Sequence, residues 1–511
     1  MDNRYSEAAV KRSIVRYSGG RLLNAAVAFL IFVWIARELP ERQYAIYIAA
    51  FALLELGLVL SGFGMEWVTA VFIPQARLKM SGQSFEKFVW HSAAIQAGMF
   101  LLGGCILYLL APFTSEWFRL GEGGAAFKIY AMVMFIEGMS RVFRDQLLSC
   151  LFLQGAAQIS QMVRNFAMLG FAFWIFRLDE GRTAQGLAFA EMLASAGSLA
   201  VAGWFLYRHL VGQRAAAARE PGWQLPPWFH MLRAGRNAWL SNIANLSWGG
   251  QAVVLMASRV VGAEATAALG FARNLSEQVR KYMPMEFLLA IVRTVLVARF
   301  AVDGDRQRLS VRAGLMYKAN LLFLLPVVAL SVARGDELCA LISGGRYASA
   351  HWLLVGWLGV LVLWSHHRVT DLVAHTLGRS SHTVYASGWL VVTPAALLLV
   401  IPFREWGMVF GLLAIAEASY SVIVLRRMAS PEWSYRPHWS GLSWLAGLAS
   451  ISVLILETLP LPPGLPGLAL AACVAVLTLW GGAFIVRIWS DSEIVLMPPR
   501  CGKLMRMGGG T

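Results

Sequence analysis

The chain has 511 residues, 58% of them hydrophobic and 14% charged, with a mean hydropathy of +0.58. A water-soluble surface carries about 25% charged residues, so a soluble globular fold is excluded. The net charge of +15 is spread through short segments between apolar runs, which fits membrane orientation better than a nucleic-acid-binding patch.

A helix needs about 20 apolar residues to cross ~30 Å of hydrocarbon. Read in chain order, spans fall near 20–36, 44–62, 89–111, 128–153, 160–176, 185–207, 237–257, 265–297, 313–333, 351–375, 383–401, 406–425, 441–459 and 466–486. The fold class is thus an all-α polytopic membrane protein of about 14 transmembrane helices. Four spans (128–153, 160–176, 265–297 and 351–375) contain charges, and a strict hydropathy window would lower the count toward ten or twelve. The first eighteen residues read as a polar, basic tail with no cleavable signal. Cys105, Cys150, Cys339, Cys473 and Cys501 form no C-x-x-C, so no disulfide framework, metal site or cofactor is expected.

The connecting segments give an independent test. With the N-terminus inside, alternate sorting puts 24 cations and 9 acids on the inside and 10 cations and 11 acids outside. Nearly every outside cation sits beside an acid, as in Arg37-Glu38, Glu41-Arg42 and Arg404-Glu405. That asymmetry predicts fourteen spans with both termini cytoplasmic. The longest loop runs from Arg208 to Arg236 and contains Pro221-Gly222 and Pro226-Pro227, a linker rather than a catalytic domain. It divides the chain into an N-terminal six-helix lobe (1–210), a cytoplasmic linker (211–236), a C-terminal six-helix lobe (237–427), two additional helices (428–490) and a cytoplasmic tail (491–511). At an offset of 222 the halves align Arg37 with Arg259 and Glu55 with Glu277, and Arg141-Val142 has a counterpart in Arg368-Val369. This suggests an internal repeat of the kind that builds transporters.

Ionisable residues also lie inside the spans, where a central charge costs at least about 2.5–3.5 kcal/mol. Glu137, Arg141, Arg144 and Asp145 share one helical face, as do Arg273, Glu277, Arg280 and Lys281, followed by Pro284. Arg368, Asp371 and His375 share a third, with His366 and His367 at its edge. Arg21, Glu55, Glu66, Arg164 and Glu417 complete the set, Glu55 and Glu66 being assigned to the second span. The functional reading is a hydrated, net-cationic cavity. In it Arg21, Arg141, Arg144, Arg164, Arg273, Arg280, Lys281 and Arg368 meet an anionic substrate. Glu55, Glu66, Glu137, Asp145, Glu277 and Asp371 then serve as coupling or salt-bridge residues. The alternative is that these charges pair only to fix helix packing. No P-loop, H-E-x-x-H or G-x-S-x-G occurs, so neither ATP-driven transport nor hydrolysis is expected.

The segments Tyr17-Ser18-Gly19-Gly20-Arg21, Ile35-Ala36-Arg37-Glu38-Leu39-Pro40, Tyr44-Ala45-Ile46-Tyr47, Gly62-Phe63-Gly64-Met65-Glu66 and Leu377-Gly378-Arg379 together resemble the polysaccharide transporter family of Wzx-like oligosaccharide flippases. Ala45 replaces the family's usual glycine. The resemblance implies the MOP-type fold, two six-helix lobes in a V. It also implies a non-enzymatic flippase for undecaprenyl-pyrophosphate-linked oligosaccharide in the bacterial inner membrane, working by alternating access. Its implied partners are the lipid-linked substrate, membrane lipids and a polysaccharide polymerase or chain-length regulator, with no nucleic acid. The same architecture would suit a lipid II flippase or a MATE-like exporter. A membrane glycosyltransferase or polysaccharide ligase fits less well, because no long external loop is available for catalysis.

Overall fold

The computed structural model describes residues 7–178, 181–217, 223, 225–287, 296, 300, 305–430, 433–435 and 437–497. The end of the expected eighth span (288–295 and 297), much of the linker and the tail from 498, with Cys501, lie outside the described residues. Among those described there is no strand; a bridge pairs Ser430 with Trp433. The chain divides into two compact units, Met1–Ala267 and Ala268–Thr511.

The first unit holds α1 (Glu7–Glu38), α2 (Glu41–Gly62), α3 (Met65–Lys79), α4 (Gly82–Trp117), α5 (Gly124–Arg141), α6 (Gln154–Ile175), α7 (Ala184–Gln213), α8 (Trp228–Ser247) and α9 (Gly250–Val260). α1 begins at Glu7, so helix runs through most of the segment expected to be a polar tail. Ser81 and Thr183 accept the backbone N–H of Ser84 and Gly186 and so cap α4 and α7, satisfying donors that a helix start leaves open. α5 continues into a π-helical turn, Val142–Leu148, a wide turn common at functional sites.

α3 was not expected. Its fifteen residues include Pro74, too few to cross the bilayer. Phe63 (φ 44°) and Gly64 (φ 72°) turn the chain sharply out of α2. A Cβ on Gly64 would strike the Gly235 carbonyl on α8, so this crossing requires glycine. Glu66 therefore belongs to the first turn of α3, not to the second span.

α10 (Ala263–Tyr282) leads into the second unit. There follow α11 (Arg306–Ser343), α12 (His351–Thr376), α13 (Ser381–Trp389), α14 (Thr393–Val400), α15 (Trp406–Met428), α16 (Trp439–Thr458), α17 (Leu465–Ile485) and α18 (Asp491–Leu496). α11 is broken at Arg334 (φ −138°) and contains Pro326. α13 and α14 form one nearly continuous rod, Ser381–Phe403.

Ten helical segments among the described residues are long and apolar enough to cross a membrane. The expected spans at 128–153, 160–176, 237–257 and 265–297 fall short of that measure. Charges or amides interrupt three of them, and the fourth is broken between α8 and α9 at Trp248-Gly249. Helix nonetheless occupies the described part of every expected span, which is compatible with fourteen crossings. The pattern of burial is that of a protein in lipid. Large apolar side chains such as Leu109, Leu399 and Ile485 are exposed, whereas Glu137, Arg144, Glu191, Arg273 and Lys318 are buried.

Candidate functional site

Each unit contains its own buried ion network. In the first, Glu137 on α5 is 2% exposed. It accepts hydrogen bonds from Arg141 Nε at 2.9 Å, Arg164 Nε at 3.0 Å and Ser195 Oγ at 2.9 Å, and Arg144 lies 3.9 Å away. Arg141 and Glu137 stand one turn apart, so the helix itself presents them together. Arg141 also reaches α2, where both its terminal nitrogens donate to Glu55, at 3.0 and 2.6 Å. Arg164 on α6 donates to Glu191 on α7 at 2.7 Å, and Tyr130 donates to the same carboxylate at 2.7 Å. Arg144, carried by the π turn, forms a two-pronged pair with the exposed Asp145, both contacts at 2.9 Å.

Ser140, Ser160 and Ser198 interlink α5, α6 and α7 beside this network. Four helices and the π turn are thus pinned by bonds in which every guanidinium faces a carboxylate. Such forks suit arginine's planar geometry and are strong where water is excluded.

Four carboxylates (Glu55, Glu137, Asp145, Glu191) face three guanidiniums (Arg141, Arg144, Arg164) here. The cationic excess expected of the intramembrane set is therefore not in this cluster. On α10, Glu277 pairs with Arg280 at 2.7 Å and with buried Arg273 at 3.5 Å, and Lys281 follows, exposed. Arg280 stacks over Trp364 at 4.9 Å, a cation–π contact that orients its guanidinium. Glu286 receives Arg368 at 3.0 Å. The repeat alignment would pair Glu277 with Arg368 by analogy with Glu55 and Arg141; in the structure the two bind other partners.

The third expected face, on α12, supports a different chemistry. His367, 5% exposed, lies between Glu417 on α15 at 2.6 Å and Asp371 at 3.4 Å, and its ring stacks on Tyr420 at 3.7 Å. Tyr420 in turn donates to Asp371 at 2.5 Å. Asn320 links α11 to this region through Ser365 at 2.9 Å and the Met285 N–H at 2.9 Å. His367 was weighed only as the edge of a face, yet it is the centre of this one.

Two expected residues lie on α1 and α3. Arg21 lies on α1 one turn before Asn24, whose amide donates to Gln158 of α6 at 2.8 Å. Glu66 is exposed. Two residues absent from the expected set are central. Glu191 has no charged neighbour on its own helix to mark it in sequence. Lys318 on α11 is 1% exposed and donates to Glu493 at 2.7 Å, the Ile488 carbonyl at 2.8 Å and His438 Nδ1 at 2.8 Å. Its partners lie 120 to 175 residues further along the chain. Gly441 permits that approach, because a Cβ there would meet His438 Nδ1 at 2.6 Å and Lys318 Nζ at 3.0 Å. A cavity of about 370 Å³, lined by Ser310, His438, Ser490 and Glu493 among others, opens beside it. Among the described residues no three His, Cys, Asp or Glu side chains group as metal ligands would.

No family model matches the sequence, and no curated protein matches it. Solved structures do. The lipid II flippase MurJ in an inward closed conformation superposes with a TM-score of 0.68 at 11% identity, covering 92% of this chain and 98% of that one. An inward-facing multidrug resistance MATE transporter of the MOP superfamily gives 0.56 at 16% identity, covering 88% and 99%. A MOP superfamily transporter from Pyrococcus furiosus, described as having a binding pocket of reversed polarity, gives 0.53 at 15% identity, covering 88% and 97%. At such identities the likeness speaks for the fold, and it runs over nearly the whole of each chain: this multi-pass membrane protein has the fold of the MOP superfamily transporters.

Proposed function

We propose that this protein flips an undecaprenyl-pyrophosphate-linked oligosaccharide across the bacterial cytoplasmic membrane, by alternating access, for O-antigen, capsule or exopolysaccharide synthesis. The observation that carries the reading is the helical face of α10 that brings Arg273, Arg280 and Lys281 together beside Glu277. Clustered guanidinium and ammonium groups of this kind suit a diphosphate better than a drug cation. Residues 1–210 and 237–427 act as the two lobes, 428–490 as the added helix pair, and the termini face the cytoplasm. Arg368, Arg141 and Arg144 assist at the headgroup, exchanging carboxylate partners for phosphate. Coupling belongs to the His367–Asp371–Glu417 centre. There an imidazole sits between two carboxylates, a geometry in which a proton can be passed between neighbouring groups. Partners are the lipid-linked substrate, bilayer lipids and the polymerase or chain-length regulator downstream.

A second reading is a lipid II flippase, favoured by the superposition on MurJ. Depletion distinguishes them. Complete oligosaccharide repeats stranded on the cytoplasmic leaflet support the proposal. Stranded lipid II with normal oligosaccharide export supports the second reading. Truncated repeats would indicate a transferase and refute both.

A further inference from the structure

Arg379, His382 and Arg427 come from three different helix ends yet gather at one place in the second unit. Arg379, in the turn after α12, donates from Nη1 to the Met428 carbonyl at 2.6 Å, which ties that turn to the end of α15. Arg427, in the last turn of α15, lies flat over the Tyr385 ring of α13, 3.2 Å from Cζ to the centroid. His382 occupies the first turn of α13, partly desolvated there and within the field of both Arg379 and Arg427. Arg426 stands beside them, exposed. Among the described residues none of these four side chains forms an ion pair, in contrast to the arginines of the buried networks.

Stacking on Tyr385 holds the guanidinium of Arg427 in place while its N–H groups stay available as donors. Beneath the cations, Trp389 contacts Tyr385 at 6.1 Å and is 63% exposed, and Val392 beyond it is 69% exposed. Cations above an aromatic and aliphatic flank match the profile of a phospholipid at the bilayer interface.

We propose that Arg379, His382 and Arg427 form a binding site for the phosphate of an anionic membrane phospholipid, whose acyl chain runs along Tyr385, Trp389 and Val392. The ligand is a phosphate ester, and its charge balances the guanidiniums of Arg379 and Arg427, with His382 beside them as a hydrogen-bonding group. The site is independent of the transported substrate, so its test needs no transport assay.

The experiment uses the full-length protein purified in a neutral detergent and titrated with phosphatidylglycerol, phosphatidylcholine or inorganic pyrophosphate, followed by native mass spectrometry and thermal unfolding. Phosphatidylglycerol is expected to be retained at least tenfold more tightly than phosphatidylcholine. Arg379→Gln/Arg427→Gln should weaken it about thirtyfold, on about 1 kcal/mol per interfacial cation. Arg427→Lys, which keeps the charge but loses the flat stack, should fall between. Arg487→Gln, at an exposed pair with Asp491, should behave as wild type. Displacement of phosphatidylglycerol by pyrophosphate would assign the site to phosphate from any source; its failure to compete would assign it to the lipid headgroup. Equal retention of both lipids, or a preference unchanged in a folded double variant, overturns the proposal.

Discussion

Replacing Glu137 with glutamine is the sharpest probe of the first unit's network. The carboxylate is 2% exposed and accepts from Arg141, Arg164 and Ser195 within 3.0 Å. Glutamine keeps the shape and one acceptor oxygen but removes the charge, leaving three guanidiniums against Glu55, Glu191 and Asp145. Breaking a buried ion pair from one side costs about 3–5 kcal/mol, a factor of about 10² to 10³ or more in the folded population. Ser195→Ala, which removes one neutral donor to the same carboxylate, should cost about 1 kcal/mol. Glu137→Gln combined with Arg164→Gln should recover part of the loss, because fewer charges remain uncompensated. Unfolding of the purified protein in bicelles, followed by tryptophan fluorescence against denaturing detergent, measures all three. A Glu137→Gln variant no less stable than Ser195→Ala would refute the claim that this charge holds α5, α6 and α7 together.

Three further outcomes are expected. Arg273→Ala and Arg144→Ala should each abolish oligosaccharide export at normal protein levels; loss of the folded protein on immunoblots would favour a purely structural role. Lys318→Ala leaves Glu493 buried without its cation and should destabilise the second unit by about 3–5 kcal/mol, whereas Lys318→Met with Glu493→Gln should cost far less; equal costs would contradict the pairing. Gly64→Ala places a side chain at φ 72° and against the Gly235 carbonyl, so it should lower stability by about 1–3 kcal/mol; the same change at Gly98, where a Cβ meets nothing within 4 Å, should be neutral within about 0.5 kcal/mol.

Hydropathy made the architecture legible, because apolar runs of about twenty residues leave the chain few alternatives in lipid. It missed α3, whose fifteen residues with Pro74 look like a loop, and it read α8 and α9 as one span across Gly249-Gly250. Spacing along one helix found the Glu137–Arg141 pair, since both lie on α5. It could not find Glu191, whose arginine arrives from α6, or Lys318, whose carboxylate lies 175 residues away. Nor could it tell that the arginines of the first unit are matched by acids from α2 and α7, because helical periodicity says nothing about which faces meet.

The Lys318 contact also bears on how the protein is made. α11 leaves the ribosome carrying an ammonium whose acceptors, at His438, Ile488 and Glu493, have not yet been synthesised. Until they arrive, that part of α11 must keep its lysine at an aqueous surface or in the translocation machinery. The final seating of the helix thus waits until translation has passed Glu493. Chains ending before Glu493 would be inserted but left incompletely assembled, a natural point for membrane proteases to discriminate finished from unfinished molecules.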